Sequence, residues 1–171
     1  MPTDPANIIQ YVIQYGSWPT AGAILLSAVI GAAVALCSIR EQRRIARRRA
    51  TIDLLARKEW DKDYLKARKE FNRLRNDPKG LVHWASTSYD ETDEKSIIRN
   101  ILNYYELIAV GIKEGTLDEE AYKRWFRSTL IKDWKQAKAF IMEVRRNTNA
   151  PTIFCELEEL AKKWGAENSP S

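Results

Sequence analysis

The stretch WPTAGAILLSAVIGAAVALCSIREQRRIARRRA, Trp18–Ala50, decides the architecture. Its first 22 residues, Trp18–Ile39, carry no charged side chain. The next ten, Arg40–Arg49, hold six arginines and one glutamate. As a helix rising about 1.5 Å per residue, the uncharged part reaches about 33 Å, enough to cross a hydrocarbon core of about 30 Å. Every backbone amide is then bonded within the helix, as lipid requires. The reading is a single transmembrane helix over residues 18–39 and a basic juxtamembrane segment over 40–49.

The flanks give orientation. Arg40, Arg43, Arg44, Arg47, Arg48 and Arg49 all follow the span, whereas Asp4 is the one charged residue before it. Basic residues mark the cytoplasmic side of a span. The N-terminus is therefore expected outside and the C-terminal part in the cytoplasm. Anionic lipid headgroups are the expected partner of the six guanidinium groups, at about 1 kcal/mol per charge near the surface. Residues 1–17 read as an extracytoplasmic or interfacial segment. Its Tyr11 and Tyr15, with Trp18, fall where an outer aromatic belt would lie.

A cleaved signal peptide competes with this reading, but it needs a basic n-region, which is absent. Ala33–Ala35 resembles a small-residue cleavage site, yet the arginines follow at once. Val34–Cys37 departs from a lipoprotein box, because Leu36 stands where a small residue belongs.

Within the span, Ala23, Ser27, Gly31 and Ala35 recur at every fourth position and share one stripe. Small residues at this spacing let helix backbones approach closely in lipid, so the stripe is a candidate helix–helix contact. Ala and Gly are also simply common in such helices.

The charge distribution limits the function. Residues 40–49 carry +5, whereas the 122 residues after them carry 22 basic and 21 acidic groups. A nucleic-acid-binding domain usually spreads its Lys and Arg over a face that follows phosphates, so this local block weighs against one. The two cysteines, Cys37 and Cys155, have no CxxC partner, and His83 is the single histidine. No metal site, disulfide, cofactor or His-based triad is expected.

Residues 50–165 read as a cytoplasmic helical domain. Ile52, Leu55, Trp60, Tyr64, Ala67, Phe71 and Leu74 fall at gaps of three, five, four, three, four and three. This predicts that the transmembrane helix continues as a stalk to about Asn76, with its stripe packed on later helices or on a second copy. Pro78 and Gly80 end it, and Leu81–Thr92 reads as a loop whose Leu81, Val82 and Trp84 cover helix ends. A second helix is expected from Thr92 or Asp93, burying Ile98, Ile101, Leu102, Tyr105, Ala109 and Ile112. Ile97, Tyr104 and Ile108 widen that face. Glu106 falls on the polar stripe and reads as a solvated carboxylate.

Gly115 is the expected stop, with Thr116 and Glu119 at capping-box spacing. A third helix, from about Asp118 to Arg146, presents Tyr122, Phe126, Leu130, Trp134, Ala137, Ile141 and Val144, broadened by Trp125 and Phe140. A last helix after Pro151 buries Ile153, Phe154, Leu157, Leu160 and Trp164, and residues 166–171 read as a disordered tail. The fold class is thus all-α: a single span running into a stalk, packed with a bundle of three to four helices.

The span, the arginine boundary and RNILNYYELIAVGIKEGTLDEEAYKRWFRSTLIKDW, Arg99–Trp134, together resemble a family of small bacterial membrane-anchored proteins, a domain of unknown function. The similarity covers about residues 50–165 and is strongest from Asn103 to Trp125. It implies a bacterial origin and an all-helical cytoplasmic domain, so that with the span the expected location is the bacterial inner membrane, and it brings no catalytic residue, substrate or cofactor.

The expected function is non-catalytic: a single-pass membrane protein whose helical domain binds a protein partner or completes a membrane assembly, itself included as a homo-oligomer. A phage-exclusion or defence protein at the membrane is a narrower version. A membrane-associated nucleic-acid binder using the arginines is another, but adjacent lipid competes for the same side chains.

Overall fold

The computed structural model describes the backbone of residues 5–166 and the side chains of residues 22–166. The side chains of Tyr11, Tyr15 and Trp18, and the tail over 167–171, lie outside the described residues. Five helices follow in order: α1 (Pro5–Trp60), α2 (Lys62–Arg75), α3 (Asp93–Lys113), α4 (Glu119–Thr148) and α5 (Cys155–Ala166). Among the described residues there is no strand. The all-α class holds, with a long apolar N-terminal helix continuing into a helical bundle.

The chain divides into two units, Met1–Ile45 and Ala46–Ser171. In the first, every described residue is exposed. Ile24, Leu25, Leu26, Val29, Ile30 and Val34 all stand bare, so the helix is apolar around its whole circumference with nothing covering it. It is the one helix among the described residues long and apolar enough to cross a membrane.

The second unit holds the core. Phe71 and Leu74 from α2, and Ile98, Ile101, Leu102, Tyr105 and Ile108 from α3, pack with Tyr122, Leu130, Phe140 and Ile141 from α4 and Leu157 and Trp164 from α5. Leu54 and Leu55, on the last turns of α1, pack against the same cluster. Burying such side chains stabilises by about 1.5–3 kcal/mol each, upper values because the unfolded chain already hides part of them.

The expected continuous stalk is interrupted. Asp61 leaves helical geometry (φ −78°, ψ 104°), and its carboxylate accepts the Asp63 and Tyr64 amides. It is the N-cap of a new helix, so α1 ends at Trp60 and α2 starts in a fresh phase. The five-residue gap between Leu55 and Trp60 is the trace of that break. Trp60, expected on the packed stripe, is 84% exposed, and Ile52 also faces solvent.

The loop after Gly80 contains two short 3-10 turns, Leu81–Ala85 and Thr87–Tyr89. Leu81 and Ala85 are buried, and Val82 is exposed rather than covering. The buried Lys95 ammonium fastens this loop, donating to Ala85 O, Ser86 O and the Asp90 carboxylate. The α3 start agrees with expectation: Thr92 is the N-cap, accepting from the Lys95 amide.

The α3–α4 connection differs in its cap. Thr116 Oγ1 donates back to Gly111 O, and the N-cap of α4 is Asp118, which accepts the Ala121 amide at 2.8 Å. Gly115 takes a left-handed φ of 65°, as a chain reversal here requires. Leu117 folds so tightly over Gly111 that an added Cβ there would lie 2.7 Å from Cδ1. On α4, Phe140 is buried as expected, but Trp125 is 64% exposed.

Candidate functional site

Two features carry chemistry: the arginine segment, Arg40–Arg49, and a polar cluster inside the bundle. On the first unit, Arg40, Arg43 and Arg44 are exposed, and Arg44 pairs with Glu41 at 3.8 Å, three residues away. Ala23, Ser27, Gly31 and Ala35 are all exposed, and a Cβ at Gly31 would meet no atom within 4 Å. Ser27 Oγ donates to Ile24 O at 2.8 Å, so its hydroxyl is satisfied within its own helix.

On the second unit, Arg47, Arg48 and Arg49 are also exposed, but Arg48 is engaged. Its Nε donates to Asp118 Oδ2 at 3.3 Å. Beside it, the fully buried Thr51 donates to Arg47 O and accepts the Asp118 amide at 2.8 Å. The Ala121 amide and then Arg48 hold the Asp118 carboxyl below its ordinary value.

The internal cluster centres on Asp133, a fully buried carboxylate on α4. Arg68 Nη1 donates to Oδ2 at 2.5 Å, and Arg75 Nη1 donates to Oδ1. Tyr105 donates its hydroxyl to Oδ2 at 2.7 Å and accepts from Arg68 at 2.8 Å. Burial, then the Asp133 charge, pushes the Tyr105 hydroxyl far up, so it stays a neutral donor. Both oxygens are held by fixed donors, two on Oδ2 and one on Oδ1. The carboxylate is a tie between α2, α3 and α4. Sequence reasoning placed Tyr105 in the core but missed Asp133, Arg68 and Arg75, because the cluster is brought together only by the fold.

Around this cluster lies an aromatic layer of Tyr64, Tyr104, Tyr105, Tyr122, Phe126 and Trp164, with neighbouring ring centroids 5.3–6.3 Å apart. Lys58 Nζ sits 4.7 Å from the Tyr64 centroid and 4.9 Å from that of Tyr104.

Glu106 corrects another expectation. Its carboxylate is half-buried and accepts the Glu156 amide at 3.2 Å and the Leu157 amide at 2.7 Å. It caps α5 from a different helix, which suits a carboxylate at a helix N-terminus. At the other end of α5, Trp164 Nε1 and Lys163 Nζ donate to the Glu119 carboxylate.

The segment Asn103–Trp125 can now be sorted residue by residue. Tyr104 and Tyr105 build the aromatic layer, Glu106 caps α5, and Gly111 and Leu117 close the turn. Asp118 caps α4, Glu119 holds α5, and Tyr122 is core. Trp125 does none of these jobs and stands in solvent.

The chain belongs to the family described as Domain of unknown function (DUF4760), which matches residues 25–164, from within the apolar helix to the buried Trp164 of α5. No curated protein and no solved structure matches the chain.

Proposed function

We propose that this is a single-pass membrane protein that holds a helical protein-binding domain at the cytoplasmic face. The observation that carries the reading is the bare apolar helix of the first unit, which ends in the arginine segment. Water is a poor solvent for that many uncovered side chains, and lipid is a good one. A buried core helix of the same composition would have its side chains covered, and these are not. The family match begins at residue 25, inside the span, which supports treating the apolar helix as part of the mature domain rather than a removable leader.

In this reading the six arginines sit at cytoplasmic headgroups and fix both depth and direction. Substituted-cysteine labelling in intact cells tests it, in a background with Cys37 and Cys155 replaced by Ser. Thr3→Cys is expected to react with an impermeant maleimide directly, and exposed Ser128→Cys only after permeabilisation. The opposite pattern, or release of the chain by alkaline carbonate, overturns the reading. Arg47–Arg49 changed to Gln is expected to scramble the orientation.

The protein-binding part is supported by Trp60 and Trp125, exposed tryptophans in a domain whose Trp134 and Trp164 are buried. Tryptophan at a surface is a common anchor of protein contacts. Detergent extraction from native membranes is expected to recover a complex that Trp125→Ala weakens. Recovery only as a free monomer overturns this part.

A further inference from the structure

Arg47 and Arg48 are set against the bundle by the α3–α4 turn. The Arg47 guanidinium passes beside that turn, where a Cβ added at Gly115 would lie 3.8 Å from Nη1. Arg48 reaches Asp118 at 3.3 Å, with its side chain 52% exposed. Asp118 divides its oxygens: Oδ1 caps α4 through the Ala121 amide, and Oδ2 takes Arg48. Under this edge, the buried Thr51 hydroxyl holds the Asp118 amide. The joint therefore has a buried half that stays closed and an exposed half whose partner can be exchanged.

We propose that an anionic lipid headgroup takes Arg48 from Asp118, so that the charge of the membrane surface sets how firmly the stalk grips the α3–α4 turn. The proposal rests on the membrane-anchored reading. An exposed ion pair and an arginine at an anionic surface are stabilised to the same small order, so neither partner dominates the other. A lipid phosphate can also receive the guanidinium through two parallel N–H bonds, whereas Asp118 receives one. Because Thr51 keeps its own bond, the exchange loosens the turn without undocking α1. Oδ1 still caps α4, so the effect is confined to the connection and the first turn.

The test is hydrogen exchange of residues 114–121 in the full chain, reconstituted in nanodiscs of phosphatidylcholine alone or with about one third phosphatidylglycerol. Exchange of this segment is expected to be at least about twofold faster in the anionic discs. Arg48→Ala is expected to exchange at the faster rate in both lipids, and Lys138→Ala, an exposed cation far along α4, to keep the wild-type response. Equal exchange in both lipids, or an intact lipid response in Arg48→Ala, overturns the proposal. Failure of the chain to enter either nanodisc overturns the membrane-anchored reading and this proposal together.

Discussion

Arg68 and Arg75 stand two turns apart on α2 and hold opposite oxygens of one buried carboxylate, that of Asp133 on α4. Both guanidinium groups are largely withdrawn from water, and the carboxylate is entirely so. The cluster therefore carries two positive charges on one negative charge, with neutral Tyr105 donating to the same carboxylate. Burying charge is expensive unless it is paired, and the cost of breaking such a pair exceeds the gain from making it.

Asp133→Asn is expected to destabilise the domain by about 3–5 kcal/mol, because it strands two buried cations. Replacing all three charged residues together, Asp133→Leu with Arg68→Leu and Arg75→Met, is expected to recover most of that loss. Urea denaturation followed by circular dichroism reads both. A single-variant loss below about 1 kcal/mol would show that water already reaches the cluster in solution.

Alkaline pH gives a second prediction. Burial raises the hydroxyls of Tyr104, Tyr105 and Tyr122 above their ordinary value of 10.0. A raised folded value means that their contribution to stability is fully present below pH 10 and is lost as pH climbs beyond it. Ionisation followed by ultraviolet absorbance is expected to show these three tyrosines titrating only as the domain unfolds. Smooth titration of all the tyrosines near pH 10 with the helices intact would contradict the buried layer.

On the acid side, five carboxyls among the described residues are depressed, Glu119, Glu158 and Asp118 among them. For Glu119, burial raises the value, but the bonds from Lys163 and Trp164 outweigh it. Lys162 and then Arg145 lower Glu158, and the Ala121 amide and then Arg48 lower Asp118. A depressed folded value means stability that is present above the unfolded value and lost as pH falls through the folded one. The midpoint of thermal unfolding is expected to be level with respect to these groups above about pH 5 and to fall below the ordinary values of 4.5 and 3.8. Glu119→Gln is expected to flatten the upper part of that decline.

Glu106→Ala is expected to cost about 1–2 kcal/mol by freeing two amides at the start of α5. Hydrogen exchange should localise the effect to residues 155–158. Uniform loosening of the whole domain would show that Glu106 acts through the core instead.

How much of this was legible in the sequence depended on where each residue's partner lies. The long apolar N-terminal helix, the Thr92 cap and the Gly115 stop are local signals, and each is where the pattern puts it. Asp61 was harder, because strong helix formers flank it and the apolar spacing nearly survives the break. Its marks are the five-residue gap before Trp60 and the pair Asp61 and Asp63 at a helix start. Glu106 and Asp133 had no local signal at all. Glu106 sits on the polar side of its helix because its partners are amides 50 residues later in the chain. Asp133 lies in a run of charged residues and is buried only because Arg68 and Arg75 approach from 65 and 58 residues away. Trp125 deceived in the opposite sense, being apolar on a helical stripe yet left outside.

The same separation sets an order of events during synthesis. Arg75 leaves the ribosome 58 residues before Asp133. At about 5–20 residues per second, roughly 3–12 s pass in which both α2 guanidiniums have no carboxylate to meet. For most of that interval the later helix available to α2 is α3, which it also contacts in the finished fold. Closure of the bundle is thus timed by the translation of α4.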